Sequence, residues 1–430
     1  PVKDLGLIII DEEHDDSYKS ENAPRYNAKE IAKYLAEEKQ IPLVLGSATP
    51  DMNTYHKAVN GEIELLELTK RANQMELPEV KIVDLRQELA HGNKSMISTE
   101  LKAEIEENIK NKKQTILFLN RRGFSTFIMC RDCGYTAKCK NCNITLTYHL
   151  KENKLKCHYC GYETKAITVC PECGSKNIRY FGTGTQKLEE QIKTLFPQAS
   201  TIRMDIDTVT KKNSHEEILN KFKKEGIDIL IGTQMVVKGH DFPNVTLVGV
   251  IAADSSLNID DYRAHERTFQ TLTQVAGRAG RGKDKGKVII QTYNPDAFCI
   301  QYAKKQDYKV FYNTEIMLRK QLRYPPFCDI ILVGISSENK NEIVNVSNKI
   351  YDDIKEKIKQ EDLKILLYKP VPAPIDRIKN KFRWRIIVKC KLDEKITKSL
   401  KNTIEKVEKE IKNTKYETRI IVDVNPSNML

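Results

Sequence analysis

Eight of the 11 cysteines stand in four C-x-x-C pairs: Cys130/Cys133, Cys139/Cys142, Cys157/Cys160 and Cys170/Cys173. Eight thiolates make two four-sulfur sets, the donor type and number that hold Zn²⁺ tetrahedrally with no position left open for catalysis. Gly134, Gly161 and Gly174 directly follow three of the pairs and Asn143 follows the fourth. A turn that aims backbone N–H groups at sulfur needs a positive φ, which Gly and Asn tolerate best. A second group of residues suits phosphoryl transfer. Asp11-Glu12-Glu13-His14 closes an apolar run, and carboxylates at such a strand end can hold Mg²⁺ and polarise an attacking water. Asp11 reads as the metal-side carboxylate and Glu12 as the base. Far downstream, Arg278 and Arg281 stand three apart. On one helix they would share a face, and their guanidinium forks suit charge on a transferred phosphoryl group.

These residues need elements to position them. Leu5–Ile10 and Pro42–Gly46 read as strands of a parallel sheet buried on both faces. Ser47 and Thr49 follow the second strand as small hydroxyl residues able to couple it to a neighbouring domain. A second α/β unit is expected from Thr115–Leu119, Ile227–Ile231 and Val245–Ala252 as strands and Lys187–Phe196 as an amphipathic helix. Between Cys142 and Cys157, Ile144, Leu146, Tyr148 and Leu150 alternate with Thr145, Thr147 and His149, the period of a strand before a polar turn. The inner four cysteines therefore read as one zinc ribbon and the outer two pairs as a second site. Sequential and crossed pairings remain open at this point. His149 and His158 are counted as bystanders, since eight thiolates fill two sites. A disulfide framework is disfavoured by the paired knuckles and by the lack of a leader-like or membrane-length apolar stretch. A cytoplasmic protein without a membrane partner is expected. The 430 residues leave room for two or three domains, and 71 Lys+Arg against 59 Asp+Glu, a net +12, suits a polyanionic partner.

DEEH, GSATP, FLNRRG, GTQMVVKGHDFP and QVAGRAGR occur in that order, and with them the chain resembles superfamily 2 DExH helicases. The two-zinc insert between FLNRRG and GTQMVVKGHDFP makes it similar to one family, the PriA replication-restart helicases (primosomal protein N′), from Val2 to about Pro426. The resemblance implies an α/β fold of two RecA-like lobes, an inserted two-zinc ribbon and a C-terminal α+β domain. The boundaries expected are 1–70 for an incomplete first lobe, 71–128 with 175–306 for the second, 129–174 for the insert and 307–430 for the C-terminal domain. It implies ATP-dependent 3′→5′ DNA unwinding in replication restart, with Mg²⁺ and ATP at the lobe cleft and two structural zincs. Branched and single-stranded DNA, single-stranded DNA-binding protein and primosome proteins are the implied partners. His14 completes the DExH motif, and Ser47 and Thr49 match the coupling motif. Gly239 and Asp241 match a segment touching nucleotide ribose and DNA, and Gln274, Arg278 and Arg281 match the arginine-finger helix.

In the C-terminal part, Ile330–Ser336, the helix 341–360, Trp384–Lys391 and Arg419–Val424 suggest the α+β unit. Arg377, Lys379, Lys381, Arg383 and Arg385 alternate with Phe382 and Trp384 interleaved. At strand spacing the cations would share one face, so that Lys379, Lys381, Arg383 and Trp384 are candidates for phosphate tracking and base stacking. One departure stands out: no G-x-x-x-x-G-K-[ST] occurs, and the Gly-Lys pairs at 282–283 and 286–287 continue as Asp and Val. The phosphate-cradling loop of the family lies upstream of the DExH strand, and this chain begins at Pro1 without methionine. The expectation is a fragment that is inactive alone, taken from an active enzyme. The rival expectation is a non-catalytic zinc-ribbon DNA-binding or scaffold protein on a relic of the same fold.

Overall fold

A computed structural model describes residues 3–68, 77–119, 127–150, 152–181, 184–205, 214–233, 242–282, 284–412 and 417–429. Runs of β-branched and leucine residues make strands apolar on both sides, which are stable between two helical layers. Such strands lie at the centre of a six-stranded all-parallel sheet in the order Thr201–Met204, Ile229–Gly232, Gln114–Phe118, Val245–Val250, Lys287–Thr292 and Glu79–Asp84. Alternate residues face opposite ways. Leu117, Ile229, Ile231 and Leu247 meet Leu101, Ile105, Leu188 and Ile192 of helices Thr99–Lys110 and Thr185–Leu195. Ile116, Phe118, Leu230 and Val248 meet Phe222, Phe269, Leu272 and Ile300 of helices Ser214–Lys224, Ala264–Ala276 and Phe298–Lys305.

The first lobe is smaller. Ile8–Ile10 pairs in parallel with Leu43–Leu45, and these two strands make its sheet among the described residues. The expectation of burial on both faces fails here: Ile9 is 64% and Val44 43% exposed. Helix Ala28–Lys39 turns Ala32 and Ala36 inward, but no described layer covers the opposite side. Helix Met52–Val59 instead places Met52 and Tyr55 in the core of the second lobe.

The C-terminal unit is an antiparallel sheet in the order Leu366–Leu367, Lys381–Cys390, Asp329–Ser337 and Arg419–Val424, with Val371–Ile378 also paired to Lys381–Cys390. Ile331, Val333, Ile335, Ile386 and Val388 meet helices Lys340–Glu361 and Glu394–Ile411. Ile330, Ile387 and, partly buried, Leu332 face the cysteine-rich insert instead. Helix Tyr308–Leu322 buries Phe311 and Tyr312 in the second-lobe core, so the α+β unit takes shape only from Asp329. In the insert, Phe127–Cys130 pairs with Ile178–Phe181, and Thr147–His149, Lys154–Lys156 and Glu163–Lys165 form a three-stranded ribbon. The alternation read from sequence puts Ile144, Leu146 and Tyr148 inside, but Thr145 and Thr147 are buried too. The Thr147 hydroxyl reaches Asp260 Oδ2 at 3.3 Å, because the second lobe covers the ribbon's other side.

Candidate functional site

The four C-x-x-C knuckles share one local geometry. Gly134, Asn143, Gly161 and Gly174 have φ of 79°, 55°, 75° and 72°. Each donates its N–H to the carbonyl of the first cysteine of its pair, at 2.8–2.9 Å. The turns gather the sulfurs in nested order: Cys130, Cys133, Cys170 and Cys173 in one set, Cys139, Cys142, Cys157 and Cys160 in the other. Cys130–Cys173, Cys133–Cys170 and Cys139–Cys160 are 3.7, 3.5 and 3.6 Å apart between sulfurs. A Zn–S bond of about 2.3 Å makes tetrahedral edges of about 3.8 Å, so both sets fit a zinc ion. His149 and His158 stay outside the tetrads and pair with each other, Nε2 to Nε2 at 3.0 Å.

The two sets dock on different neighbours. At the outer set, a Cβ on Gly134 would fall 2.3 Å from the Tyr293 carbonyl, and Arg131 donates to Tyr293 Oη at 2.7 Å. Arg86 donates to the Cys133 carbonyl at 3.3 Å. The inner set faces the C-terminal unit. Tyr324 Oη donates to the Cys142 carbonyl at 3.1 Å, and Arg385 Nε donates to the His158 carbonyl at 2.8 Å. A Cβ on Gly161 would meet Val371 at 2.8 Å. The insert is thus a bridge between the second lobe and the C-terminal unit.

At the end of strand Ile8–Ile10 the chain turns sharply. Glu12 has φ 47°, a left-handed conformation uncommon for glutamate, and its N–H donates to Asp11 Oδ1 at 2.9 Å. Asp11 and Glu12 stay exposed, whereas Glu13 is 1% exposed. Glu13 accepts from the Asp51 N–H at 2.6 Å, Lys29 Nζ at 2.9 Å and Thr54 Oγ1 at 3.0 Å. Burial works against the Lys29 charge, yet Asp51 and Glu13 hold its pKa above the usual lysine value. His14 connects the lobes: Gln274 Nε2 lies 2.8 Å from His14 Nε2, and His14 Nδ1 lies 2.7 Å from Ser47 Oγ. With the amide nitrogen donating, His14 carries its proton on Nδ1 and donates to Ser47. Ser47 Oγ also accepts the Thr49 N–H at 3.0 Å. The Ser47 hydroxyl, the Thr49 backbone N–H, the DExH histidine and the second-lobe helix therefore form one hydrogen-bonded chain.

Several expected placements change. Helix Ala264–Ala276 carries Gln274 but ends before the arginines. Arg278 and Arg281 lie in the following turn, where Gly280 has φ 68° and a Cβ there would sit 2.4 Å from the Gly286 nitrogen. The glycines that break the helix thus remove the shared helical face, and Arg281 Nε donates back to the Gly277 carbonyl at 2.9 Å. Gly239 and Asp241 lie outside the described residues, as do Gly123 and most of the GTQMVVKGHD segment. In the C-terminal unit, Lys379 and Asn380 form a hairpin turn with φ 48° and 62°, so the cations do not run along a single strand. Arg385 is buried against the insert, Arg383 Nη1 donates to the Ile375 carbonyl at 3.3 Å, and Lys381 lies near Glu338 and Glu417. Trp384 packs, partly buried, on the helical core rather than standing free for a base.

Sequence reasoning missed a buried ionic cluster at the same interface. Arg319 pairs with Glu266 at 2.6 Å and with Glu315 at 3.0 Å, and Glu266 Oε1 caps the Met52 N–H at 2.9 Å. Burial opposes the Arg319 charge, but the two carboxylates hold its pKa above the ordinary value. A signal existed: Glu266 stands three residues before buried Phe269, on the helix's inner face. Arg319→Met should cost about 3–5 kcal/mol by leaving the buried Glu266 carboxylate without its cation and Glu315 with only His265, at 3.1 Å. Thermal unfolding checks this, and adding Glu266→Gln and Glu315→Gln should recover most of the loss.

A parallel α/β lobe linked through Gln274 to a DExH strand, with a cysteine-rich insert, defines a helicase-type second lobe. Residues 165–283 match the helicase conserved C-terminal domain. Residues 139–165 match the PriA DNA helicase Cys-rich region domain, and 320–427 the primosomal protein N C-terminal domain. The whole chain is 47% identical to the replication restart protein PriA of Bacillus subtilis and covers 53% of it. The Synechocystis and Borreliella burgdorferi proteins of that name are 44% and 39% identical, over 90% and 95% of this chain and 48% and 60% of theirs. Along its whole length the chain is strongly homologous to replication restart proteins named PriA, and it spans about half the length of the curated relatives it matches. A solved structure of Mss116p bound to ssRNA and AMP-PNP aligns over 83% of this chain and 56% of that one. The two share 15% identity at a TM-score of 0.38. Among the described residues no helix is long and apolar enough to cross a membrane.

Proposed function

We propose that this chain works in ATP-dependent 3′→5′ DNA unwinding for replication restart and primosome assembly at stalled forks. The observation that carries the reading is the Ser47–His14–Gln274 chain, which joins the exposed carboxylates of one lobe to the arginine-bearing segment of the other. Asp11 would hold Mg²⁺ through water, and Glu12 Oε would take the proton of the attacking water. Arg278 and Arg281, held in a glycine-shaped turn, would face the phosphates when the lobes close, and Gly239 and Asp241 would serve ribose and DNA. Gln274 orients His14, which in turn fixes Ser47 and Thr49, so closure of the cleft reaches the strand end that bears the carboxylates. The two cysteine tetrads would each hold a structural Zn²⁺. Saturated by thiolate, these ions supply rigidity rather than an open coordination position.

Branched and single-stranded DNA are the proposed substrates, with single-stranded DNA-binding protein and primosome proteins as partners. The net +12 charge supports a polyanionic ligand. Lys379, Lys381 and Arg383 at the hairpin are the proposed phosphate contacts, while the packed position of Trp384 makes it the weakest of the four candidates. The full-length gene product should hydrolyse ATP with Mg²⁺ and do so faster when forked DNA is added. Hydrolysis that is absent, or indifferent to DNA, would leave the metal-stapled scaffold as the better reading.

A further inference from the structure

We propose that Asp423, on the edge strand Arg419–Val424 of the C-terminal unit, is a positioning residue for the DExH carboxylates. The link is the loop Asp15–Asn27, which leaves the catalytic turn directly after His14. Its first part is tied to that turn: the Asp15 N–H donates to the Glu12 carbonyl at 2.8 Å and Tyr18 Oη to the Asp11 carbonyl at 2.7 Å. Its neck closes where Lys19 bridges Asn27 and the Ser20 N–H donates to the Tyr26 carbonyl at 2.9 Å. The loop has little core of its own. The turn Asp16–Tyr18 buries no residue, and Glu21 to Pro24 are exposed.

What holds it is charge from elsewhere. Lys19 Nζ sits 2.9 Å from Asp423 Oδ1 and Arg25 Nε 3.5 Å from Asp423 Oδ2. These side chains are 11%, 14% and 23% exposed for Lys19, Asp423 and Arg25, shielded enough that salt screens the pairs only in part. From the other side, Arg267 of helix Ala264–Ala276 reaches Asp16 Oδ2 at 3.2 Å and also donates to the Ser427 carbonyl, four residues beyond Asp423. One short C-terminal segment therefore grips both flanks of the loop. Asp423 touches no reacting group; it acts through Lys19 and Arg25 on the backbone that carries Asp11 and Glu12. A displacement of about 1 Å of a catalytic group can cost up to about 100-fold in rate, which makes such an anchor consequential.

The kinetic arm of the test rests on the hydrolytic reading above; the exchange arm does not. In the full-length gene product, Asp423→Asn should speed amide hydrogen exchange across residues 15–27 while leaving the thermal midpoint in place. It should also lower kcat for DNA-stimulated ATP hydrolysis about tenfold with KM for ATP little changed, and Asp423→Glu should restore both readouts. Unaltered exchange in 15–27, a retained kcat, or a kcat lost only together with the thermal midpoint would each overturn the assignment. A wild-type protein that hydrolyses no ATP would sink the proposed function instead, and the exchange result would still decide the role of Asp423.

Discussion

Cys157→Ser should leave one zinc ion per chain instead of two and free the C-terminal unit from the insert. Cys157 belongs to the inner tetrad, and the neighbouring His158 carbonyl is the acceptor for buried Arg385. The ribbon of Thr147–His149, Lys154–Lys156 and Glu163–Lys165 has strands of only three residues, too short to be stable without a staple. Zinc contributes about 10–16 kcal/mol in small sites of this kind, so a three-thiolate remnant should no longer order the ribbon. Elemental analysis of the purified variant gives the count, and limited proteolysis should find new cleavage between 142 and 170. Cys173→Ser, in the outer tetrad, should also drop the count to one but loosen the contact with Tyr293 instead of that with Arg385. A wild-type content of one zinc or none, or two zincs in both variants, would refute the nested pair of sites.

Glu12→Gln should abolish turnover without harming the fold, and its neighbour should do the reverse. Glu12 is about half exposed and is held by its backbone turn rather than by packing. The amide keeps its shape but takes no proton, so hydrolysis by the full-length gene product should fall about 10²- to 10⁴-fold at an unchanged thermal midpoint. Glu13→Gln removes the anion that Lys29, Thr54 and the Asp51 N–H all use. Loss of charge-assisted bonds of this type costs about 1.5–3 kcal/mol each, so the midpoint should drop while the remaining folded protein still turns over. Equal rates for Glu12→Gln and wild type would remove Glu12 as base. A Glu13→Gln protein as stable as wild type would mean that Lys29 finds another partner.

Much of this was legible in the chain because the physics is local. A C-x-x-C pair followed by Gly or Asn states its own turn, and the φ of Gly134, Asn143, Gly161 and Gly174 follows from residue type alone. β-branched runs such as Ile229–Gly232 and Val245–Val250 state their own burial. The strands Thr201–Met204, Lys287–Thr292 and Glu79–Asp84 are not among those expected from the sequence, since polar residues at their ends or along them shorten the apolar run that the other three strands display. The repeat of the sequence suggests that the helix runs on through Arg278 and Arg281, but it stops at its cap, Gly277, and leaves both arginines in the segment beyond. The cationic strand was misjudged because Lys379 and Asn380 turn the chain at its middle.

Residue types and spacing by themselves determined which side chains could bind metal, activate water or stabilise phosphate, and that the eight paired thiols suit two four-sulfur sets. Only the tertiary structure decided which thiols share a tetrad and that Glu13 rather than Glu12 is the buried carboxylate. It also decided that Arg385 serves the insert rather than a ligand, and that Asp423 reaches the DExH loop. The physical reason is range: backbone torsion and side-chain chemistry act within a few residues, whereas an ion pair joining Lys19 to Asp423 exists only after separate sheets have packed.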